Sequence, residues 1–151
     1  QVSAQRRLEI AREGTDFWVD GDAEQIALVL GNLVSNAVKY GRSDIDLQLM
    51  VTLKASQREV SIMVTDNGPG IPVSQREQVF EKFFRAEQAG NGQGSGLGLY
   101  ICRSIVEAHG GRIWIDARYK KGTRIGFAFP RAPAPAGSTK KELPERQEMR
   151  T

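Results

Sequence analysis

The sequence has one cysteine, Cys102, and one histidine, His109. A single cysteine excludes an internal disulfide and a cysteine-rich metal site, and such usage is typical of a reducing compartment. No run of roughly 20 apolar residues is present, so no transmembrane helix is predicted. Lys and Arg total 21 against 18 Asp and Glu. Because no basic stripe follows a predicted element, we expect no nucleic-acid binding.

Much of the small positive charge belongs to the tail after Pro130, which has five Lys or Arg and three Asp or Glu. This tail starts with alternating Ala and Pro and has few apolar residues, so disorder is predicted for residues 131–151. Residues 1–130 are enough for one domain with a core and too few for two. Because the chain starts at Gln1 without an initiator Met, we expect a fragment of a longer protein.

Apolar residues at helical spacing and a capping box together predict three helices. The first covers residues 23–40 and is capped by Asp20-Gly21-Asp22. A capping box of Ser74 and Glu77 predicts a second helix that reaches the phenylalanines before residue 85. The third covers residues 97–108 and ends at Gly110-Gly111.

Alternating apolar and polar residues predict strands at 7–12, 17–19, 45–53, 60–64, 112–119 and 123–129. The turns between them are short, which favours antiparallel neighbours. The predicted fold class is therefore α+β: a two-layer sandwich in which a mixed, mostly antiparallel sheet is covered on one face by three helices.

Three polar side chains of the first helix, Asn32, Asn36 and Lys39, lie beside its apolar arc rather than opposite it. Asn is a poor helix former, so its use twice at a spacing of four has a cost. An amide oxygen can bind a hard cation such as Mg²⁺, and a lysine can offset phosphate charge. A solvated stripe on an amphipathic helix explains the same pattern, and the helix alone does not decide between the two interpretations.

The stretch DNGPG at residues 66–70 ends the fourth predicted strand. Asp66 has the parity of Val60, Ile62 and Val64, so its carboxylate faces the core and needs a donor partner. The exocyclic amine of a purine is such a donor, and glycines let the backbone approach a flat ring. The alternative is an Asx-turn, in which Asp66 bonds its own backbone. Local sequence favours the turn.

The stretch GSGLGL at residues 94–99 leads directly into the third predicted helix. Glycines before a helix leave its first backbone N–H groups free to meet an anion. No strand precedes this stretch and no Gly-Lys-Ser or Gly-Lys-Thr follows, so neither a Rossmann nor a P-loop site is predicted. The remaining interpretation is that residues 86–96 form a glycine-rich lid over phosphates. His109 and Cys102 are interpreted as capping or packing residues.

In their order along the chain, NLVSNAVKY (residues 32–40), DNGPG (66–70), FEKFFR (80–85) and GSGLGL (94–99) resemble the N, G1, F and G2 boxes of sensor histidine kinases. These boxes belong to the catalytic ATP-binding domain of the two-component kinases, in a superfamily shared with DNA gyrase, a heat-shock chaperone and MutL. The resemblance covers about residues 6–130. It favours a nucleotide pocket over an isolated turn at Asp66.

The resemblance implies a fold, cofactors and a set of site residues. The fold is the Bergerat ATP-binding fold, and the cofactors are ATP and Mg²⁺, with Asn36 as the metal ligand. Catalysis involves Asn32, Asn36 and Lys39, Asp66 accepts the adenine amino hydrogen, and Thr123 supports Asp66 through its hydroxyl group and a water. The implied nucleotide-binding residues are Asn32, Asn36, Lys39, Tyr40, Asp66, Gly68, Gly70, Ile71, Arg85, Gly94, Ser95, Gly96, Leu97, Gly98, Leu99 and Thr123.

One position bears on the reaction type. In the hydrolytic branches that this domain resembles, a glutamate stands four residues before the metal-binding asparagine and acts as general base. This chain has Asn32 at that position, and an asparagine cannot accept a proton near neutral pH. The resemblance therefore implies phosphoryl transfer to a histidine on a separate dimerisation domain, with a response regulator downstream. An ATP hydrolase or a non-catalytic nucleotide-sensing module is the alternative. The resemblance to sensor histidine kinases further implies that this fragment is monomeric and is a cytoplasmic domain of an inner-membrane sensor.

Overall fold

The computed structural model describes residues 5–40, 46–84 and 97–137 and the backbone of 147–150. Within these residues six strands form one sheet in the order β4-β5-β3-β2-β1-β6. Among the described strands only β1 and β2 pair in parallel, and the other neighbouring pairs are antiparallel. The strands are β1 (Arg6–Glu13), β2 (Leu47–Ala55), β3 (Glu59–Asp66), β4 (Arg112–Ile115), β5 (Arg124–Pro130) and β6 (Gln147–Arg150).

Two α-helices, α1 (Ala23–Tyr40) and α2 (Gly98–Ala108), pack on one face of this sheet. Each helix buries one apolar stripe against the alternating inward residues of β3 and β5, as the predicted periods require. The predicted α+β sandwich is confirmed. The buried core consists of Val29, Leu33, Val64, Cys102, Val106, Ile125, Phe127 and Phe129. No helix in the described ranges is long and apolar enough to span a membrane.

The two α-helices run in opposite directions. The imidazole of His109, just after α2, accepts a hydrogen bond at Nε2 from the backbone N–H of Asp22, just before α1, at 3.1 Å. A backbone N–H can only donate, so the ring hydrogen is on Nδ1, which lies 2.8 Å from the Ile105 carbonyl oxygen. Asp22 also caps α1 through the N–H of Gln25. The predicted structural role of His109 is thereby confirmed.

The predicted helix over residues 74–84 is wrong. The segment forms two short 3₁₀ turns, Val73–Gln75 and Gln78–Phe80, and the Ser74–Glu77 capping box is absent, since Pro72 precedes the first turn without a side-chain cap. Phe83 then takes a left-handed φ of 64°, which an α-helix cannot contain. Burial of Val79 and Phe80 gives the short segment its stability through tertiary packing rather than through helical propensity.

Two predicted strands also differ from the structure. Residues 17–19 form no strand, and Val19 makes only an isolated bridge with Arg131. The predicted strand over residues 112–119 stops at Ile115, because the chain turns at Asp116, whose N–H still bonds to the Arg124 carbonyl.

The tail after Pro130 contains structure where disorder is predicted. Ala132 is buried and its N–H donates to the Trp18 carbonyl oxygen at 2.7 Å. Further along, the backbone of β6 pairs antiparallel with β1. The folded edge of the sheet therefore includes residues beyond 130.

Candidate functional site

Asp66 is the last residue of β3, and only 9% of its surface is exposed. Its Oδ1 accepts hydrogen bonds from the N–H of Gly68 at 2.8 Å and from the N–H of Thr123 at 3.2 Å. The hydrogen bond from the Gly68 N–H forms an Asx-turn, and the Asp66 carboxylate is buried as well, so the two alternatives for this stretch are both present. Burial raises the pKa of this carboxyl group, and the two backbone hydrogen bonds oppose that rise. Oδ2 accepts no hydrogen bond from the described residues and remains available for a donor.

The loop between β4 and β5 is hydrogen-bonded to Asp66. The Asp66 N–H donates to the Thr123 carbonyl oxygen at 2.8 Å, so Thr123 contacts Asp66 through both of its backbone groups. Both contacts come from the Thr123 backbone, and the contact through its hydroxyl group and a water that the resemblance implies stays a prediction. A Cβ atom on Gly122 would overlap the Asp66 carbonyl oxygen. Gly122 is therefore required for the close approach of this loop to the end of β3.

The same loop is held from the opposite face of the sheet by Arg124. Its Nε donates to the Thr65 hydroxyl oxygen at 3.0 Å, and its guanidinium lies 4.2 Å from the centre of the Tyr119 ring. A longer ion pair of 3.5 Å joins it to Asp116. Thr65 and Arg124 are direct partners in the β3–β5 register. These contacts brace the residues on both sides of Gly122.

The turn after Asp66 holds Gly68, Gly70 and Ile71. Gly70 has a φ of 80°, and a Cβ atom there would lie 3.1 Å from the Gly122 carbonyl oxygen. Glycine at this position therefore meets two needs, a left-handed backbone and room for the adjacent loop. Gly68 is buried, which places its backbone at the edge of the core beside the Asp66 carboxylate.

The C-terminal half of α1 lies at the same end of the sheet as Asp66. Ala37 packs with Leu47 and Leu49, and Leu49 is the partner of Asp66 in the β2–β3 register. The neighbouring polar side chains of Asn32 and Asn36 are half-buried, as expected for the edge of an apolar arc. Lys39 and Tyr40, in the last turn, are exposed.

The start of α2 belongs to the same end of the molecule. Because α2 ends beside the start of α1, an antiparallel arrangement directs residues 97–99 toward the C-terminal half of α1. Leu99 packs against the buried core. Of the remaining predicted site residues, Arg85, Gly94, Ser95 and Gly96 lie outside the described residues.

Cys102 links the two helices inside the core. The thiol of Cys102 donates to the Val29 carbonyl oxygen across a distance of 3.7 Å. Burial raises the pKa of this thiol to about 11, while the hydrogen bond from Asn32 acts in the opposite direction. The predicted core role of Cys102 is confirmed, since its side chain is fully buried.

Residues 21–133 match the family described as histidine kinase-, DNA gyrase B-, and HSP90-like ATPases. This match includes both helices and all strands from β2 to β5. The chain belongs to this ATPase family. The inward Asp66 and its glycine turn are thus part of a family domain rather than an isolated loop.

Relatives of this family domain include sensor kinases from several bacteria. The adaptive-response sensory kinase SasA of Synechocystis sp. is 41% identical over 112 residues, 74% of this chain and 29% of that protein. The sensor histidine kinase WalK of Bacillus subtilis is 35% identical over 134 residues, 86% of this chain and 22% of that protein. The chain therefore spans between a fifth and a third of the length of these curated relatives.

Solved structures similar to this ATPase-family domain are also histidine kinases. A mycobacterial sensor histidine kinase, MprB, has a TM-score of 0.72 and 33% identity, covering 84% of this chain and 86% of that one. Full-length ShkA in complex with AMPPNP has a TM-score of 0.69 and 28% identity, and the match covers 85% of this chain and 27% of the ShkA chain. ThkA in complex with the response regulator TrrA has a TM-score of 0.65 and 30% identity, and the match covers 83% of this chain and 34% of the matched chain. The resemblance to sensor histidine kinases is confirmed.

Two residues of this family domain contribute to the site without having been predicted from sequence. Gly122 determines how closely the β4–β5 loop approaches Asp66, and only its place one residue before Thr123 could have indicated this. Asn67 bonds through its side chain to two backbone groups at the start of β2. No periodicity or spacing signals that contact, because the partners are about 20 residues apart in the chain.

Proposed function

We propose that this chain binds Mg-ATP and presents the γ-phosphate to a histidine on a separate dimerisation domain of its parent protein. The observation that carries the proposal is the buried Asp66 carboxylate. Backbone N–H groups satisfy its Oδ1, which leaves Oδ2 to accept the adenine amino hydrogen. The AMPPNP complex of ShkA, a similar structure, supports nucleotide binding by this fold.

The phosphates belong beside α1 and the start of α2 in this proposal. Lys39 offsets phosphate charge, and the backbone N–H groups at the start of α2 bind the phosphate oxygens. Tyr40 flanks the base, and Gly68, Gly70 and Ile71 make room for the ring. Thr123 holds Asp66. The other proposed phosphate-binding residues are Arg85, Gly94, Ser95, Gly96, Leu97, Gly98 and Leu99.

The donors present fit a magnesium ion that is held mainly by phosphate. No group of three or more His, Cys, Asp or Glu side chains in the described residues could hold a metal ion alone. Mg²⁺ commonly takes few protein ligands and completes its shell with substrate phosphates and water. Asn36 offers a half-buried amide oxygen for this purpose. A bound Mg²⁺ would neutralise charge that develops on the transferred phosphoryl group.

Phosphoryl transfer is favoured over hydrolysis because Asn32 cannot act as a general base. The single histidine, His109, is engaged at both ring nitrogens between the two helices. The acceptor histidine must therefore come from another domain. We place the response regulator after that step, supported by the complex of ThkA with TrrA, and the domain in the cytoplasm of a membrane-anchored sensor.

Calorimetric titration with AMPPNP, with and without Mg²⁺, tests the proposed binding. We expect saturable binding that weakens in Asp66→Asn, and an Mg²⁺ contribution that disappears in Asn36→Ala. Glu59→Gln, at the other end of β3, is the matched control. The absence of AMPPNP binding by the folded, unsubstituted chain would contradict the proposed function.

Incubation with γ-labelled ATP tests the reaction type. We expect the chain to acquire no label by itself and to release no phosphate above background. A histidine-bearing dimerisation domain supplied in trans should become labelled. Phosphate release by the isolated chain would instead establish the ATP hydrolase alternative.

A further inference from the structure

The main chain leaves the sheet at Asp66, but the hydrogen-bond ladder continues for one more step. The Asn67 Oδ1 accepts from the Gln48 N–H, and the Asn67 Nδ2 donates to the Asp46 carbonyl oxygen, both at 2.9 Å. The last backbone pair of β2 and β3 is Leu49 with Asp66. A carboxamide has the same donor and acceptor as a peptide group. The Asn67 side chain therefore takes the place of the next peptide in the sheet.

The backbone partner of Asn67 is itself fixed to the neighbouring strand. The Asp46 carboxylate accepts from the Gln5 N–H at 2.8 Å, and the Leu47 N–H donates to the Gln5 carbonyl oxygen at 2.9 Å. The carboxamide of Asn67 is thus anchored to the start of both β1 and β2. An ordinary surface asparagine in a turn has no such anchor.

This anchoring determines where the next peptide points. Because the Asn67 side chain occupies the ladder position, its main chain is free to turn away from the sheet. The N–H of Gly68 then reaches the Asp66 Oδ1 at 2.8 Å. Rotation of the Asn67 backbone would withdraw that donor and release the Asp66 carboxylate.

We propose that Asn67 is a positioning residue for adenine recognition. Its side chain replaces a strand peptide, directs the Gly68 N–H onto Asp66 and so presents one carboxylate oxygen to the base. This inference rests on the proposed function. Asn67 acts through Asp66 and does not contact the nucleotide, so it should affect discrimination between bases more than phosphate affinity.

The test compares affinities for AMPPNP and for its guanine counterpart by calorimetry at a temperature where every variant is folded. In Asn67→Ala we expect the preference for AMPPNP to fall about tenfold, the loss of one hydrogen bond to an ionised group. Asn67→Asp keeps an acceptor for the Gln48 N–H but sets a carboxylate against the Asp46 carbonyl oxygen. Asn67→Asp should show a preference for AMPPNP between those of the wild type and Asn67→Ala. This variant tests the inference by itself if Asn67→Ala does not fold.

Ser56→Ala is the matched control, because the Ser56 hydroxyl bonds to backbone groups at the other end of the same two strands. It should lower thermal stability and leave the base preference unchanged. An unchanged preference in the folded Asn67 variants would overturn this inference alone. A lack of AMPPNP binding by the unsubstituted chain would overturn the proposed function and the inference with it.

Discussion

Asp66→Asn should separate binding from stability. The asparagine has the same shape, and its Oδ1 can still accept from the N–H groups of Gly68 and Thr123. Burial raises the pKa of the native carboxyl group, so the folded state disfavours its charge. The carboxylate therefore costs stability in full above its raised folded pKa. The cost shrinks as pH falls below that value and is absent below the unfolded pKa. At pH 7 the variant should match or exceed the wild type in free energy of unfolding.

Binding should change in the opposite direction. In the variant, the oxygen stays on the backbone donors, and the amide NH₂ group then faces the adenine amine, a donor opposite a donor. A hydrogen bond to a charged group contributes about 1.5–3 kcal/mol. At about 1.4 kcal/mol per factor of ten, the dissociation constant of AMPPNP should rise roughly 10- to 150-fold. Wild-type affinity should also weaken as pH falls through the raised pKa of Asp66.

Urea unfolding and calorimetry on the same preparations measure both quantities, and Glu59→Gln reports the effect of losing a carboxylate elsewhere on β3. The variant should lack the acid limb of the wild-type binding profile. Wild-type affinity for AMPPNP in Asp66→Asn would refute the reasoning and leave Asp66 as a turn residue only. A loss of more than about 2 kcal/mol of folding stability would refute the assigned cost of its burial.

Three further predictions concern the support of the site and the core. Gly122→Ala should lower the free energy of unfolding by about 1–3 kcal/mol and weaken AMPPNP binding, because its Cβ overlaps the Asp66 backbone. Gly31→Ala is the control, because a Cβ at Gly31 on α1 lies in open space, and it should raise the free energy of unfolding by about 0.5–1 kcal/mol. An equal loss of folding free energy in both variants, measured by urea unfolding, would contradict the overlap assigned to Gly122. Phe127→Ala, which empties a fully buried position, should cost about 3–5 kcal/mol in the same assay, and a cost below about 1 kcal/mol would show that the core collapses around it. Cys102, with its pKa raised to about 11 by burial, should react with a thiol reagent at pH 8 only after unfolding, and rapid labelling of the native chain would place the thiol outside the core.

Periodicity predicted the elements that bury a regular stripe. The helix at residues 23–40 and the alternating strands of the β2–β3 hairpin match the structure because burial on one face imposes a period on the sequence. The parity of Asp66 with Val64 predicts in the same way that both side chains face the core, and both are buried. Where packing is irregular, as at Val79 and Phe80, the capping box of Ser74 and Glu77 predicted a helix that does not form.

The sequence by itself determined the helix and strand periods, the inward direction of Asp66 and the ordered boxes that place the chain in its family. These are local properties, since neighbours along the chain decide which side a residue faces. Only the tertiary structure decided that Thr123 holds Asp66 through its backbone, that Gly122 must lack a side chain and that Asn67 completes the sheet. Each of those contacts joins residues between 19 and 57 positions apart, so no local pattern can encode it.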